Sequence, residues 1–230
     1  MTLTFAQGAV TSLVGPNGAG KTTLFNAITG LIRPTAGRVF LGAADVTGRP
    51  PHAIARLGIG RGFQHTRILQ QLTVLQNVQL ALPEVSDRVL AMAALSAARR
   101  ERLRDDARRH LVEAGLADVA DRPAHMLGYG EQRAVMIACR VASGARILLL
   151  DEPTSGIDPG ARGRILSLVR TLRDGGRTIL LIEHNLDVIR GASDQVVFMA
   201  EGRVRAIGTA AEIESDPELT TLYFGGAVHA

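Results

Sequence analysis

Lysine is almost absent from this 230-residue chain. Lys21 is the single lysine, and arginine supplies all the other residues among the 26 Lys and Arg. An arginine side chain ends in a wide planar fork, whereas lysine carries a compact charge on a thin flexible stem. A position that keeps lysine in so arginine-rich a chain therefore indicates a narrow space around that charge.

Cysteine and aromatic residues are also scarce. Cys139 is the only cysteine, so no intrachain disulfide is possible, a cytosolic location is favoured, and we expect its thiol to pack as a small apolar group. Aromatic residues make up 3% and tryptophan is missing, which disfavours a base-stacking surface. The net charge is +4, but basic residues alternate with acids in segments such as 97–110. We therefore expect no nucleic acid partner.

Long apolar runs are missing as well. None approaches the roughly 20 residues needed to cross a bilayer, and the first ten residues have no basic segment ahead of an apolar one. With 46% hydrophobic residues, the chain can still bury one substantial core. We expect a soluble, unsecreted protein of one domain.

The surroundings of Lys21 match a phosphate-binding loop. Residues 15–22 read GPNGAGKT, which fits G-x-x-x-x-G-K-[ST], a loop whose backbone N–H groups surround phosphates while the lysine reaches the terminal ones. A short apolar strand (11–15) precedes it and an amphipathic helix follows, as the motif requires. A glycine-rich turn that happens to end in Lys-Thr is the alternative. The candidate nucleotide-binding residues are Gly15, Pro16, Asn17, Gly18, Ala19, Gly20, Lys21, Thr22 and Thr23.

Two further apolar runs end in polar side chains. RILLLDEP (146–153) predicts a strand buried on both faces; at its end Asp151 would hold Mg²⁺ opposite the Thr22 hydroxyl, and Glu152 would be the catalytic general base. An acidic helix cap is the alternative for either carboxylate taken alone. RTILLIEH ends in His184, which is a structural hydrogen bonder in most such positions but a candidate catalytic γ-phosphate contact beside a nucleotide.

The order of elements predicts an α/β fold. Strand-like runs that each lead toward a helix indicate a mainly parallel sheet covered on both faces. The stretch from about 71 to 142 lacks strand patterning and is predicted to be an inserted helical subdomain. The core would then comprise about residues 1–70 and 143–230.

A third motif lies between the other two. LGYGEQ (127–132) opens a predicted helix and so forms a second glycine-lined helix N-terminus, an anion site without a lysine. Such a half-site makes sense if it closes over a phosphate that is held by the loop of another chain. Its candidate residues are Gly128, Tyr129, Gly130 and Glu131.

Three further residues complete the pattern: Gln64 in RGFQH, Asp158 in SGID and His184. Together with the three motifs, in this order along the chain, they resemble the ATP-binding subunits of ABC transporters over nearly the whole chain. The resemblance implies a RecA-like P-loop NTPase core and two subunits that sandwich two ATP molecules head to tail. Gln64 would bind ATP, sense Mg²⁺ and the γ-phosphate, and contact the membrane subunit. Asp158 would bridge the two active sites.

A narrower resemblance comes from the tyrosine in LGYGEQR, from RGFQHTRILQQLTVLQNV and from the ending ESDPELTTLYFGG. These are similar to the ATPases of bacterial branched-chain amino acid importers, a group with urea and amide relatives. The resemblance implies two membrane-spanning permease subunits, a second and different ATPase subunit, and indirectly a periplasmic solute-binding protein. The chain would work at the inner face of the cell membrane.

Two positions depart from the family pattern. The family usually has an adenine-stacking aromatic roughly a couple of dozen residues before the lysine, whereas Phe5 lies only ten residues before Gly15, in what is predicted as a strand and turn. We do not assign Phe5 that role, and expect either an upstream start or weakly held adenine. Gly128 stands where the family usually has a serine that contacts the γ-phosphate.

Other nucleotide-binding classes fit less well. A GTPase reads its base with Asn-Lys-x-Asp, which needs a second lysine that this chain lacks. A chromosome-maintenance or repair ATPase carries a long coiled coil, for which there is no room, and a ribosome-acting ABC factor normally has two such domains. A non-transport ABC ATPase remains the alternative to an importer subunit.

Overall fold

A six-stranded sheet lies at the centre of the computed structural model, which describes residues 2–62, 68–86 and 96–224. Its strand order is β4-β5-β6-β1-β7-β8; all neighbours are parallel except the antiparallel pair β7–β8. A separate hairpin pairs β2 with β3. The strands are β1 Val10–Val14, β2 Phe40–Leu41, β3 Ala44–Asp45, β4 Ile59–Gly62, β5 Ile147–Asp151, β6 Thr178–Ile182, β7 Gln195–Ala200 and β8 Arg203–Gly208.

Helices pack on both faces of this sheet, as the sequence predicts. They are α1 Lys21–Ile28, α2 Pro51–Arg56, α3 Val74–Ala81, α4 Pro83–Ser86, α5 Ala97–Glu113, α6 Tyr129–Ala142, α7 Pro159–Asp174, α8 Leu186–Ala192, α9 Ala210–Ser215 and α10 Pro217–Phe224. Two short 3₁₀ helices, Ala117–Val119 and Ala124–Met126, connect α5 to α6. None of the helices in the described part of the chain is both long and apolar enough to cross a membrane.

Strand β5 explains why its sequence is an uninterrupted apolar run. Leu148 and Leu150 belong to the core under α3, α5, α6 and α7, while Leu149 between them belongs to the core under α1. Successive side chains of a strand point to opposite faces, so both faces must be apolar when both are covered. The prediction of a mainly parallel sheet with helices on both sides is confirmed.

The first helix between β4 and β5 begins with a capping box. Thr73 accepts a hydrogen bond from the Gln76 backbone N–H, and the Gln76 side chain accepts one from the Thr73 backbone N–H. This reciprocal pair satisfies two N–H groups that a helix otherwise leaves unpaired. From there, α3 packs against both α5 and α6.

Cys139 on α6 packs beside this core as predicted, and burial raises the pKa of its thiol to about 12.

Two local predictions are wrong. Phe5 is not in a strand; it precedes a turn and packs partly buried against the core under α1. The first strand ends at Val14 and not at Gly15, because the backbone of Gly15 turns to a φ of 140°. A Cβ on Gly15 would lie 1.9 Å from the backbone oxygen of Met199 in β7, so only glycine lets the loop leave the sheet so close to its neighbour.

We therefore expect Gly15→Ala to destabilise the nucleotide-free protein by about 3 kcal/mol, because strain in the backbone adds to a collision with a main-chain atom that cannot move aside. Gly37→Ala is the matched control, since Gly37 also has positive φ but a Cβ added there would have no atom within 4 Å; it should cost about 1 kcal/mol. Urea unfolding of both variants measures the difference. Equal losses would contradict the steric explanation.

Candidate nucleotide site

The predicted phosphate loop joins β1 to α1 and encloses its lysine. The Lys21 side chain is buried, and its Nζ donates to the backbone oxygens of Gly15 at 2.6 Å and Pro16 at 3.0 Å. Burial lowers the pKa of Lys21, while the carboxylates of Glu152 and Asp151 oppose that shift. The first turn of α1 contains no acidic residue, so its N–H groups and positive dipole end can bind phosphate.

Asp151 ends β5 and lies in the same site, because its charge acts on Lys21. Burial raises the pKa of its carboxyl group, and the neighbouring Arg61 guanidinium opposes that rise. Arg61 comes from β4, and its Nη2 lies 3.3 Å from Asp151 Oδ2. Sequence analysis missed Arg61; the available signal was an arginine in the otherwise small and apolar strand Ile59–Gly62.

Glu152 and His184 meet directly beyond the ends of β5 and β6. His184 Nε2 lies 3.2 Å from Glu152 Oε1, and both side chains are partly exposed. Glu152 has a φ of 48°, which is uncommon for a residue with a side chain, and its N–H donates to Ile182 of β6. The unusual backbone and the contact with His184 together aim the carboxylate, and such a pair can orient a water molecule for attack.

A buried carboxylate that sequence analysis also missed fixes the loop behind Glu152. Glu183 Oε1 accepts hydrogen bonds from the backbone N–H of Thr154 at 3.0 Å and from its hydroxyl at 2.7 Å. The His184 N–H donates to the other oxygen of the same carboxylate. The signal in the sequence was an acidic residue at the end of the buried run TILLI. Glu183 thereby ties the segment after β5 to the end of β6.

The oxygen groups of this site fit Mg²⁺ bound together with a nucleotide. Asp151 supplies a carboxylate and Thr22, on the exposed side of α1, supplies a hydroxyl. Within the described ranges no three His, Cys, Asp or Glu side chains come together as a metal site. Mg²⁺ is usually held by one or two carboxylates plus substrate phosphates and water, without a closed protein cage, so this donor set suits it.

The LGYGEQ segment forms the N-terminus of α6, with Gly128 as its cap. The Gly128 N–H donates to Glu131 Oε2 at 2.9 Å. A Cβ on Gly130 would lie 2.4 Å from the Cβ of Ala161 on α7, so Gly130 allows the two helix N-termini to pack closely. Asp158 caps α7 by accepting from the Ala161 N–H at 2.9 Å, a bond that lowers the pKa of its carboxyl group.

Tyr129 is held in place by a buried arginine. Arg133 Nη2 donates to the Tyr129 hydroxyl at 2.6 Å, and the guanidinium carbon lies 4.8 Å from the ring centroid. The ring also lies against Gly156, in the segment between β5 and α7. The exposed Tyr129 therefore joins the start of α6 to the loop that ends in Asp158.

The predicted site residues that the structure describes lie in two groups. The phosphate loop, Asp151, Glu152 and His184 gather at the ends of β1, β5 and β6. The residues of LGYGEQ and Asp158 gather where α6 and α7 begin. Gln64 lies outside the described residues.

The chain is similar to known proteins over nearly its whole length. A family model described as ABC transporter matches residues 1–155. The chain belongs to the ABC transporter family. It is 37% identical over 233 residues to the high-affinity branched-chain amino acid transport ATP-binding protein LivG of Salmonella typhimurium, covering 99% of this chain and 91% of LivG. It is also 37% identical over 220 residues to the lipopolysaccharide export system ATP-binding protein LptB of Acidithiobacillus ferridurans, covering 96% and 87%.

Solved structures agree with the fold. The ADP conformation of MJ1267, an ATP-binding cassette of an ABC transporter, superimposes with a TM-score of 0.83 at 30% identity and covers 97% of this chain and 90% of that one. The predicted P-loop NTPase fold and the resemblance to ABC ATP-binding subunits are confirmed. The chain is an ABC-type ATPase that binds nucleotide.

The enclosure of Lys21 predicts that Lys21→Ala abolishes ATP binding and that Lys21→Arg fails nearly as badly. A planar guanidinium is too wide for a space lined by the Gly15 and Pro16 carbonyls. Titration with ATP measures affinity, and thermal unfolding verifies the fold. Arg38→Ala, which removes one charge from an exposed side chain, is the control and should bind normally. Near-normal binding by Lys21→Arg would contradict the steric argument.

Proposed function

We propose that this ATPase powers a bacterial importer for branched-chain amino acids or related small polar solutes. The observation that carries the proposal is that the phosphate loop, Glu152 and His184 lie together, while the tyrosine-containing segment 127–132 forms the N-terminus of α6. The similarity to LivG supports the solute class. The equal identity to LptB makes export of a lipid-linked molecule the competing possibility.

ATP would bind with its phosphates in the loop formed by residues 15–23, and Mg²⁺ would be held by Thr22, Asp151 and Gln64. Glu152 would accept the proton of the attacking water, and His184 would contact the γ-phosphate. The support is the 3.2 Å contact between Glu152 and His184, together with the charges of Asp151 and Glu152 acting on Lys21. Tight positioning of this kind is what phosphoryl transfer requires of a protein.

A second ATPase subunit would complete each site. Gly128 and Tyr129 are exposed at the start of α6, so this segment is available to close over a phosphate that another chain holds. Asp158, which begins α7 beside it, would bridge the two sites. A heterodimer is favoured because Gly128 lacks the hydroxyl that the family usually offers at this position, and a different partner can supply it.

The remaining assignments follow the importer resemblance. The chain would form one nucleotide-binding domain, with a core of about residues 1–70 and 143–230 and a helical subdomain of about 71–142. It would bind two membrane-spanning permease subunits at the inner face of the cell membrane. A periplasmic solute-binding protein would act on the assembly from the other side.

We expect Glu152→Gln to bind ATP but to slow its turnover by about a hundred-fold or more, because an amide cannot accept the proton of the attacking water. The measurement uses the transporter reconstituted with its permeases, partner ATPase and binding protein. In the unsubstituted assembly, leucine, isoleucine or valine should stimulate turnover. Arg109→Gln, on the exposed face of α5, is the control and should turn over ATP normally.

Normal turnover by Glu152→Gln would place the general base elsewhere. Turnover that responds to no branched-chain amino acid, urea or amide would overturn the solute class. Stimulation by a lipid-linked saccharide would favour the export alternative.

Gly128→Ser should tighten ATP-driven closure of the ATPase pair by roughly ten-fold or more. The new hydroxyl adds a hydrogen bond to a charged phosphate, worth roughly 1.5–3 kcal/mol. Because only one of two unequal sites would use this chain's segment, inactivating Glu152 should cost more turnover than inactivating the partner's equivalent carboxylate. Size-exclusion chromatography with ATP measures closure. A fully active homodimer that does not respond to Gly128→Ser would refute the asymmetric pair.

A further inference from the structure

Arg61 lies beside Asp151 in the nucleotide site, although no motif assigns it a role. Its side chain is 10% exposed, and the other residues of β4 are Ile59, Gly60 and Gly62. One nitrogen of its guanidinium contacts Asp151 Oδ2 at 3.3 Å, and the other donates to Asn26 Oδ1 on α1. The guanidinium carbon lies 5.9 Å from the ring centroid of Phe25. A costly buried charge is thus held in a defined place.

Positive and negative side chains lie together in the site without nucleotide. Lys21 and Arg61 are positive, whereas Asp151 and Glu152 are negative. Lys21 donates to the carbonyl oxygens of its own loop, and Arg61 is the cation in contact with Asp151. A divalent cation at Asp151 would therefore meet a carboxylate that is already paired with a guanidinium, and it would be repelled by that positive charge.

We propose that Arg61 is an internal substitute for the metal: it pairs with Asp151 while the site lacks nucleotide and competes with a divalent cation for that carboxylate. The inference rests on the proposed role of Asp151 as a metal ligand. With nucleotide bound, Asp151 would hold a divalent cation in place of the guanidinium, and Arg61 would keep Asn26 as an acceptor. Arg61 is a positioning residue, and its charge makes metal binding depend on nucleotide.

The arrangement of Asn26 supports this exchange. Asn26 lies one helical turn after Thr22 on α1, so the guanidinium is fixed to the same helix that carries the proposed hydroxyl ligand. The neutral amide oxygen of Asn26 accepts from the guanidinium, so Arg61 has an acceptor besides Asp151. Loss of the Asp151 contact would therefore not leave a buried cation without a partner, which would be costly.

The test measures ADP affinity in the presence of Mg²⁺ and in the presence of a chelator. The affinity with Mg²⁺ divided by the affinity with chelator is the measure of metal dependence. Arg61→Met removes the charge and keeps an apolar side chain over Phe25. We expect its ratio to rise about five-fold or more, because the metal no longer competes with a cation. Arg61→Lys keeps the charge and should stay within about two-fold of the unsubstituted protein. An unchanged or lowered ratio in Arg61→Met would overturn the inference.

One control and one further neutral variant make the result specific. Arg109→Met removes the same charge from α5, where the side chain is 74% exposed, and should leave the ratio unchanged. Arg61→Gln is a second neutral variant, to be used if the methionine variant fails to fold, and should also raise the ratio.

Asp151→Asn separates this inference from the proposed function. Its ratio should fall toward one, because the metal loses its carboxylate ligand and keeps only the phosphates, water and neutral oxygen ligands. An unchanged ratio would refute the role of Asp151 as a metal ligand. A lowered ratio in Asp151→Asn, together with an unchanged ratio in Arg61→Met, would refute the role of Arg61 alone.

Discussion

Parallel pairing of β1, β5 and β6 is the constraint on which the site depends. In this register Ile182 of β6 lies beside both Leu13 of β1 and Asp151 of β5. The phosphate loop, the Asp151–Glu152 pair and the Glu183–His184 pair therefore leave the sheet at the same edge. No local motif brings these segments together. The hydrogen-bonded pairing of the strands does so, because parallel strands have all their carboxyl ends at the same edge of the sheet. The apolar cores on both faces of the sheet stabilise that ladder.

Burial at this edge changes the pKa values of the charged side chains. The low polarity around the ends of the strands lowers the pKa of Lys21 and raises that of the Asp151 carboxyl group, and each shift is opposed by a neighbour of the other sign. The site thus contains opposite charges, and a bound nucleotide and its metal can change how these charges pair. Glu183 adds rigidity by binding Thr154 through two hydrogen bonds, which fixes the segment that follows Glu152.

The second group of residues is connected to the first by that same segment. It runs from Glu152 at the end of β5 to Asp158 at the start of α7, and it passes beside Tyr129 at Gly156. The segment that follows Glu152 therefore connects the two groups of residues over a short length of chain.

The sequence by itself determined the elements and the chemistry that each one carries. A lone lysine in a glycine loop, apolar runs ending in carboxylates and a glycine-lined helix start are local patterns, and their spacing sufficed to predict the α/β fold and the nucleotide site. The exact ends of strands were less predictable, as Gly15 illustrates, because the turn there depends on the approach of Met199 from β7.

Only the tertiary structure decided which side chains pair across the site. Arg61 with Asp151, Glu183 with Thr154 and Arg61 with Asn26 join residues that are between 29 and 90 positions apart. Such contacts depend on strand order and register, which bring distant segments together. A local pattern cannot encode them, because the period of a strand or helix specifies which face a residue occupies but not which residue will lie opposite it.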